Sequence, residues 1–383
     1  MLLSRIPKYM MVIEKIKEWI VNGDVKPGEK IHSENELAKM FDVSRHTIRQ
    51  AVGELVHQGL LYREQGAGTF CSSPMPVNQG QGKSQSNLQP TQNHGKNIAI
   101  ITTYISDYIF PSIIRGIESY LSSKGYSLTI SSTDNDLEKE KKCLEAMMSR
   151  NIDGFIIEPT KSSGYNPNLH YYLELERKKI PYLMINQYYS QLNPPYMMIN
   201  DEKGGYLATD HLLSLGHEKV VGIFKTDDMQ GICRMKGFID AFRDHQVPFI
   251  NDTIISYSTE DLHEGLTDKI KKLVANRDNI PTGIVCYNDE VALMAINILR
   301  EHGLNVPNDI SVVGYDDSTL AIASEVKITT VTHPKMQLGL DAAKWIVNAV
   351  ENGGKSGENS ILYEPELIKR NSTKKLKKHV MQE

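Results

Sequence analysis

The chain has 383 residues, 40% of them apolar and 23% charged, with a formal net charge of −4. That length calls for two or three globular units, and the composition is that of a soluble globular protein. The charge excludes a globally basic nucleic-acid binder but not a small DNA-reading module on an acidic body: residues 1–71 hold ten Lys/Arg and nine Asp/Glu.

In chain order, Tyr9, Val12, Ile13, Ile16 and Ile20 fall at helical spacing, and Asn22-Gly23 supplies a stop. "VKPGEK" reads as a turn. Ser33 and Glu36 then form a Ser-x-x-Glu capping box ahead of Leu37, Ala38 and Phe41. Asp42-Val43 turns the chain, and Ser44 caps a third helix whose Ile48, Val52 and Leu55 face one way, with Ala51 beside them. "LLYREQGAGTFC" follows as a hairpin wing around Gly66-Ala67-Gly68. The predicted unit over 1–71 is a small α+β winged helix-turn-helix. Arg45, His46 and Arg49 are then exposed at the start of the second helix of the motif, the part that enters a major groove. Basic residues at a helix start also suit a merely solvated face, and it is the capping box, turn and wing together that favour DNA.

Residues 72–96 read as a flexible linker, because "SSPMPVNQGQGKSQSNLQPTQNHG" (72–95) has almost nothing apolar to bury. From residue 97 to 383 the chain alternates apolar strands with amphipathic helices. "NIAIITT", "YSLTISST", "DGFIIEP", "PYLMIN", "YMMIN", "VVGIF", "DTIISYS", "TGIVCYN", "ISVVGYDD" and "KITTV" are the strands. This predicts α/β architecture with doubly wound parallel sheets in two lobes, the chain crossing near 190–200 and 329–334. The basic tail "KRNSTKKLKKH" is expected to be solvated and disordered.

Four scattered cysteines lack any Cys-x-x-Cys pairing, which argues against a structural zinc site or a disulfide framework. Charges break every apolar run of the N-terminus, so it is no signal peptide, and no stretch approaches the roughly 20 apolar residues of a membrane helix. A cytoplasmic location is expected.

Taken together, "KPGEKIHSENELAKMFDVSRHTIRQAVGELVHQGLL" and "GAGTF" resemble the winged helix-turn-helix of GntR-type regulators over nearly its full length. The resemblance implies DNA contacts from Glu34, Arg45, His46 and Arg49, with Ser33, Ser44 and Thr47 at the same helix starts. It places Lys8 on phosphate and Gln65 and Gly66 of the wing in the minor groove. His32 and Asn35 depart from the family, which usually has Pro and often Arg there.

In the large unit, "NDEKGGYLATDHLLSLGH", "RMKGF", "IVCYNDEVA", "GLNVPNDISVVGYDD", "TTVTHP" and "EPELIKRNS" occur in the order found in LacI/GalR-type effector domains. Those domains share the periplasmic-binding-protein-like fold. Each motif puts a polar side chain just beyond a strand's carboxyl end, where open α/β sheets bind ligands. Arg234, Asn288 and Asp316 supply donors and acceptors that suit sugar hydroxyls, and the resemblance makes them the polar core of the pocket. Asn186 and His333 complete a ring, Glu158 is a further acceptor, and Tyr104 and Phe110 would stack on a pyranose face or pack between lobes. Asp289 is read as a helix cap, Asp317 as a structural pair or cap, and Asp201 and His217 as structural.

A GntR-type head on a LacI-type body resembles the AraR-type arabinose-responsive repressors of Gram-positive bacteria. That implies a homodimer, joined through the large unit including "FPSIIRGIESYL", on a pseudo-palindromic operator, repressing sugar-utilisation genes until L-arabinose enters the interlobe cleft. The alternative effector is another sugar, a sugar phosphate or a purine. A transport-type sugar-binding protein is the rival reading, opposed by residues 1–71. Asp316-Asp317 resembles a catalytic pair, yet no nucleophile, phosphate loop or metal cluster accompanies it. No catalytic residue, cofactor or metal is expected.

Overall fold

In a computed structural model the described residues are 8–22, 24–26, 28–41, 43–57, 61–64, 68–71, 96–106, 108–250, 252–275, 280–353 and 360–376. The chain divides into two compact units, Met1–Thr91 and Gln92–Glu383. Gly23, Asp42, the wing residues Gln65 and Gly66 and the linker stretch 72–95 lie outside the described residues. Of the linker expected over 72–96, Lys96 alone is described, and its carbonyl already accepts from Ser127 N at 2.8 Å.

The small unit contains α1 (Lys8–Asn22), α2 (Glu34–Met40), α3 (Arg45–His57), β1 (Leu61–Glu64) and β2 (Gly68–Cys71). Apolar residues three and four apart meet in one core: Val12, Ile13 and Ile16 from α1, Leu37 from α2, Ile48, Ala51, Val52 and Leu55 from α3. The capping box is formed, with Ser33 N donating to Glu36 Oε2 at 2.8 Å and Ser33 Oγ accepting from Glu36 N at 3.4 Å. Ser44 Oγ accepts from Thr47 N at 3.1 Å and so starts α3. β1 and β2 pair antiparallel from Leu61↔Cys71 to Glu64↔Gly68. The stretch read as a turn does more than turn: Ile31 N donates to Thr69 O and Cys71 N to Glu29 O, so 29–31 extends the wing along the free edge of β2.

In the large unit the chain runs β3 (Asn97–Thr102), α4 (Phe110–Ser123), β4 (Ser127–Ser132), α5 (Leu137–Met148), β5 (Gly154–Ile157), α6 (Leu169–Arg177), β6 (Tyr182–Ile185) and β7 (Tyr196–Ile199). It continues through α7 (Asp201–Ser214), β8 (Val220–Lys225), α8 (Met229–Asp244), β9 (Ile254–Tyr257), α9 (Glu264–Ala275), β10 (Gly283–Cys286), α10 (Asp289–Glu301), β11 (Ser311–Asp316), α11 (Thr319–Ala323) and β12 (Thr329–Thr332). It ends with α12 (Lys335–Glu351), β13 (Ile361–Tyr363) and β14 (Leu367–Ile368). Among the described residues, one sheet has the order β13-β7-β6-β5-β3-β4 and the other β14-β12-β11-β10-β8-β9. Pairing is parallel except between β12 and β14. β5, β6 and β10 are buried along their whole length, which explains their unbroken apolar sequence.

The chain passes between lobes after β7 and again after β12, because α12 packs on α4, β5 and β6 of the first lobe. A third passage, absent from the sequence reading, lies between β13 and β14, which join opposite sheets. The tail needs correction too. Ser372 is fully buried, its Oγ donating to Val312 O at 2.6 Å and accepting from Thr329 N at 2.8 Å, so residues through 376 are laid on the second lobe. Among the described residues, no helix is long and apolar enough to cross a membrane.

Glycines let two helix pairs cross backbone to backbone. A Cβ on Gly116 of α4 would sit 2.4 Å from Met336 O, and one on Gly237 of α8 would sit 1.9 Å from Glu202 O of α7. The backbone cannot yield cheaply there. Gly237→Ala is therefore expected to destabilise the large unit by about 1–3 kcal/mol. A wild-type melting temperature for that variant would contradict the close crossing.

Candidate functional site

The carboxyl ends of strands from both lobes surround a cavity of about 400 Å³. Thr103 and Tyr104 follow β3, Glu158 follows β5 and Gln187 follows β6; Lys225, Tyr257 and Asp316 end β8, β9 and β11; Tyr287 and Asn288 follow β10. Each of these residues ends its strand or follows closely after it, so a polar ring forms where the buried core stops.

Arg234 anchors the second lobe's half. It is 1% exposed, with Nε 2.7 Å from Asp201 Oδ1, Nη2 3.4 Å from Asp316 Oδ1 and Nη1 2.7 Å from the Tyr287 carbonyl. The guanidinium also lies 3.6 Å from the Tyr315 ring centroid and 4.8 Å from that of Tyr287. A fully buried cation is tolerable only with this degree of pairing. Burial still pushes the Asp201 carboxyl up to about 6, against the pull of Arg234. Asp316 lines the cavity with φ 89°, and Asp317 beside it has φ 43°. Asp317 is paired with Arg370 at 2.6 Å, the structural role expected of it.

Asn288 and Asp289 divide their roles differently from the sequence reading. The cap of α10 is Asn288, whose Oδ1 accepts from Val291 N at 2.9 Å while the residue lines the cavity. Asp289 is the first helical residue and binds Thr330 Oγ1 at 2.6 Å and Ser318 N at 2.7 Å. Burial raises its carboxyl to about 7 in spite of those bonds.

On the first lobe, Glu158 accepts from Thr103 N at 2.9 Å, from Thr103 Oγ1 at 2.5 Å and from Asn186 Nδ2 at 2.8 Å. Burial raises its pKa, those donors opposing. Tyr104 and Phe110 both line the cavity, in edge contact with centroids 5.8 Å apart. Asn186 and His333 do not line it. They lie behind Glu158, with His333 Nε2 3.2 Å from Asn186 Oδ1, because Asn186 (φ 63°) spends its amide on the carboxylate.

Sequence reasoning missed Lys225, Asp228, Gln187, Tyr108 and Tyr287. Lys225 sits 3.0 Å from Asp228 Oδ2 and 3.4 Å from Asp227 Oδ1. Burial opposes its charge, but the two carboxylates outweigh burial and raise its pKa. Tyr287 Oη donates to Asp228 at 2.8 Å. Tyr108 bridges the lobes, donating to Tyr315 O at 2.9 Å and accepting from Asp289 N at 3.1 Å. Other bridges join Asn135 Nδ2 to Thr259 Oγ1 at 2.6 Å and Ser163 Oγ to Thr226 O at 2.7 Å, so the two lobes are closed on each other. Among the described residues, no group of three or more His, Cys, Asp or Glu is placed to hold a metal.

In the small unit, Arg45 and Arg49 are exposed on α3, four residues apart and so on one face, opposite buried Ile48, Val52 and Leu55. Ser44 is exposed and Thr47 half-buried, bonded to each other at 2.9 Å between hydroxyls, and Ser33 is exposed beside Glu36. For Lys8, Glu34 and His46 the backbone alone is described, which puts Glu34 and His46 in the first turns of α2 and α3.

Residues 8–71 match the family model for bacterial regulatory proteins of the gntR family, and residues 209–373 match that for a periplasmic binding protein-like domain. The chain is 52% identical over 374 residues to the arabinose metabolism transcriptional repressor of Halalkalibacterium halodurans, covering 97% of both chains. It is 46% identical to that of Geobacillus stearothermophilus, covering 97% of this chain and 99% of the relative. Among solved structures, a LacI family transcriptional regulator from Enterococcus faecium with bound ribose aligns with TM-score 0.61 and 27% identity, over 74% of this chain and all of that one. The two repressors match the head and the two-lobed body alike, and the chain belongs to the arabinose metabolism transcriptional repressors, a family of regulators and not of enzymes.

Proposed function

We propose that the protein binds a pseudo-palindromic operator as a homodimer and leaves it when L-arabinose occupies the interlobe cavity. The observation that carries this reading is the cavity itself: strand-end polar groups from both lobes, with Tyr104 and Phe110 as apolar faces, around a space of about 400 Å³. Paired carboxylates and amides accept and donate to neutral hydroxyls without needing a counter-ion. Among the described lining residues, Glu158, Asp228, Glu290 and Asp316 outnumber Lys225 and Arg234, and both cations already have acidic partners. A phosphorylated sugar meets repulsion there, which favours an uncharged ligand. The names of the relatives point to arabinose.

Release requires the ligand to favour the arrangement that binds DNA poorly, and operator then weakens sugar binding by the same factor. Calorimetry with L-arabinose, D-ribose and arabinose 5-phosphate, beside gel retardation on an inverted-repeat duplex, tests the reading. L-arabinose is expected to bind one per chain and abolish retardation, and the phosphate to do neither. No heat with L-arabinose, or sugar-saturated protein still on the duplex, refutes it.

A further inference from the structure

The second passage between the lobes, residues 333–335, sends one side chain behind each half of the cavity. His333 Nε2 contacts Asn186 Oδ1, and Asn186 Nδ2 donates to Glu158 at 2.8 Å. With Asn186 Nδ2 donating to Glu158, Asn186 Oδ1 faces His333, and an amide oxygen only accepts, so the donor is His333 Nε2–H. That fixes the tautomer and leaves His333 Nδ1 buried, with no partner among the described residues. Burial holds the ring neutral, with a pKa of about 4.

Two residues on, Lys335 opens α12, which packs with the first lobe. Its Nζ donates to the carbonyls of Asp316 at 2.5 Å, Asp317 at 2.9 Å and His333 at 3.3 Å. An ammonium has three N–H groups, and three carbonyls take them all. The first two belong to the left-handed turn of the second lobe, a conformation that residues other than glycine hold only under constraint. Asp316 at that turn lines the cavity.

We propose that His333 and Lys335 are positioning residues that couple effector occupancy to the angle between the lobes, His333 through Glu158 and Lys335 through Asp316. The inference rests on the cavity being the effector site. Neither side chain touches ligand; His333 ties the Glu158 carboxylate, by way of the Asn186 amide, and Lys335 ties the backbone of Asp316 to the segment that must flex when the lobes move. A ligand that fixes the spacing of Glu158 and Asp316 thereby biases that segment, and with it the lobe angle.

Lys335→Met keeps the length of the side chain and removes all three donors. His333→Met removes the ring donor, and His333→Gln restores one. In full-length protein, the ratio of operator affinities without and with saturating L-arabinose is expected to fall at least tenfold in both Met variants and to recover in His333→Gln. Sugar-free operator affinity stays within twofold. Independently of any sugar, amide exchange over 316–318 is expected to speed up at least tenfold in Lys335→Met, with 97–102 unchanged. Wild-type coupling in both Met variants, failure of His333→Gln to recover, or unchanged exchange over 316–318 overturns the proposal. If the unmutated protein ignores L-arabinose, the effector assignment falls instead, and the exchange experiment still decides the role of Lys335.

Discussion

Arg234→Met is expected to abolish sugar-induced release and to cost the large unit about 3–5 kcal/mol, the usual penalty for removing one partner of a buried ion pair. The methionine fills much of the arginine's volume, so packing loss contributes little. What remains is electrostatic. Asp201 and Asp316, 2% and 3% exposed, lose their shared cation, and among the described residues neither is ion-paired with another. Two buried carboxylates are then left without their counter-charge. The Tyr287 carbonyl loses its donor at the same time, so the strand end that carries Asn288 loses its brace. Asp316→Asn separates charge from shape, since asparagine tolerates the left-handed backbone that Asp316 adopts at φ 89°. It is expected to lose sugar response with a smaller fall in stability. Thermal unfolding and calorimetry on both variants, with gel retardation, check this. Normal release by L-arabinose in either one removes the Arg234–Asp316 pair from the effector site.

The fold was legible wherever a chain segment buries one face or both. Runs such as "GFII" and "GIVC" announce themselves because parallel strands covered on both sides are mostly apolar. Ser33 and Ser44 mark helix starts because their hydroxyls satisfy amides that nothing else can reach. β13 and β14 were not legible: with two or three half-buried or exposed residues each, they carry no buried apolar run to announce them. For the cavity, the strand-end rule selected Glu158, Asn288 and Asp316 correctly as lining residues, and applied to "VVGIFK" it would also have found Lys225. It placed Asn186 and His333 one layer too far forward. A strand end locates a side chain near the cleft, but whether that side chain meets the ligand or a neighbour's carboxylate depends on contacts far apart in sequence, here 158 with 186 and 333. The tail was misread for the same reason: "KRNSTKK" looks solvated until Ser372 finds Val312, sixty residues away in sequence.

Arg45→Ala is expected to weaken operator binding by about 1–3 kcal/mol, roughly five- to 150-fold, with no change in sugar affinity. Arg45 opens α3 directly after its Ser44 cap, and Arg49 lies one turn on along the same exposed face. The apolar side of the helix is fully committed to the core through Ile48, Val52 and Leu55, each at most 1% exposed, so α3 cannot rotate to present another face. A groove approached by the first turns of α3 therefore meets these arginines first. Two kinds of contact are open to a guanidinium there, and salt separates them. Pairing with guanine O6 and N7 makes the loss depend on sequence, large on the operator and small on a scrambled duplex. Gripping phosphate makes the loss uniform and shortens the salt slope by about one unit. We expect Arg45, in the first turn of α3, to read base edges and Arg49, one turn on, to hold the DNA backbone. Arg45→Ala should accordingly flatten the preference for operator over scrambled DNA at unchanged slope, and Arg49→Ala should lower affinity for both with a reduced slope. Operator affinity unchanged in both variants, measured across a salt series, removes this face of α3 from the DNA interface.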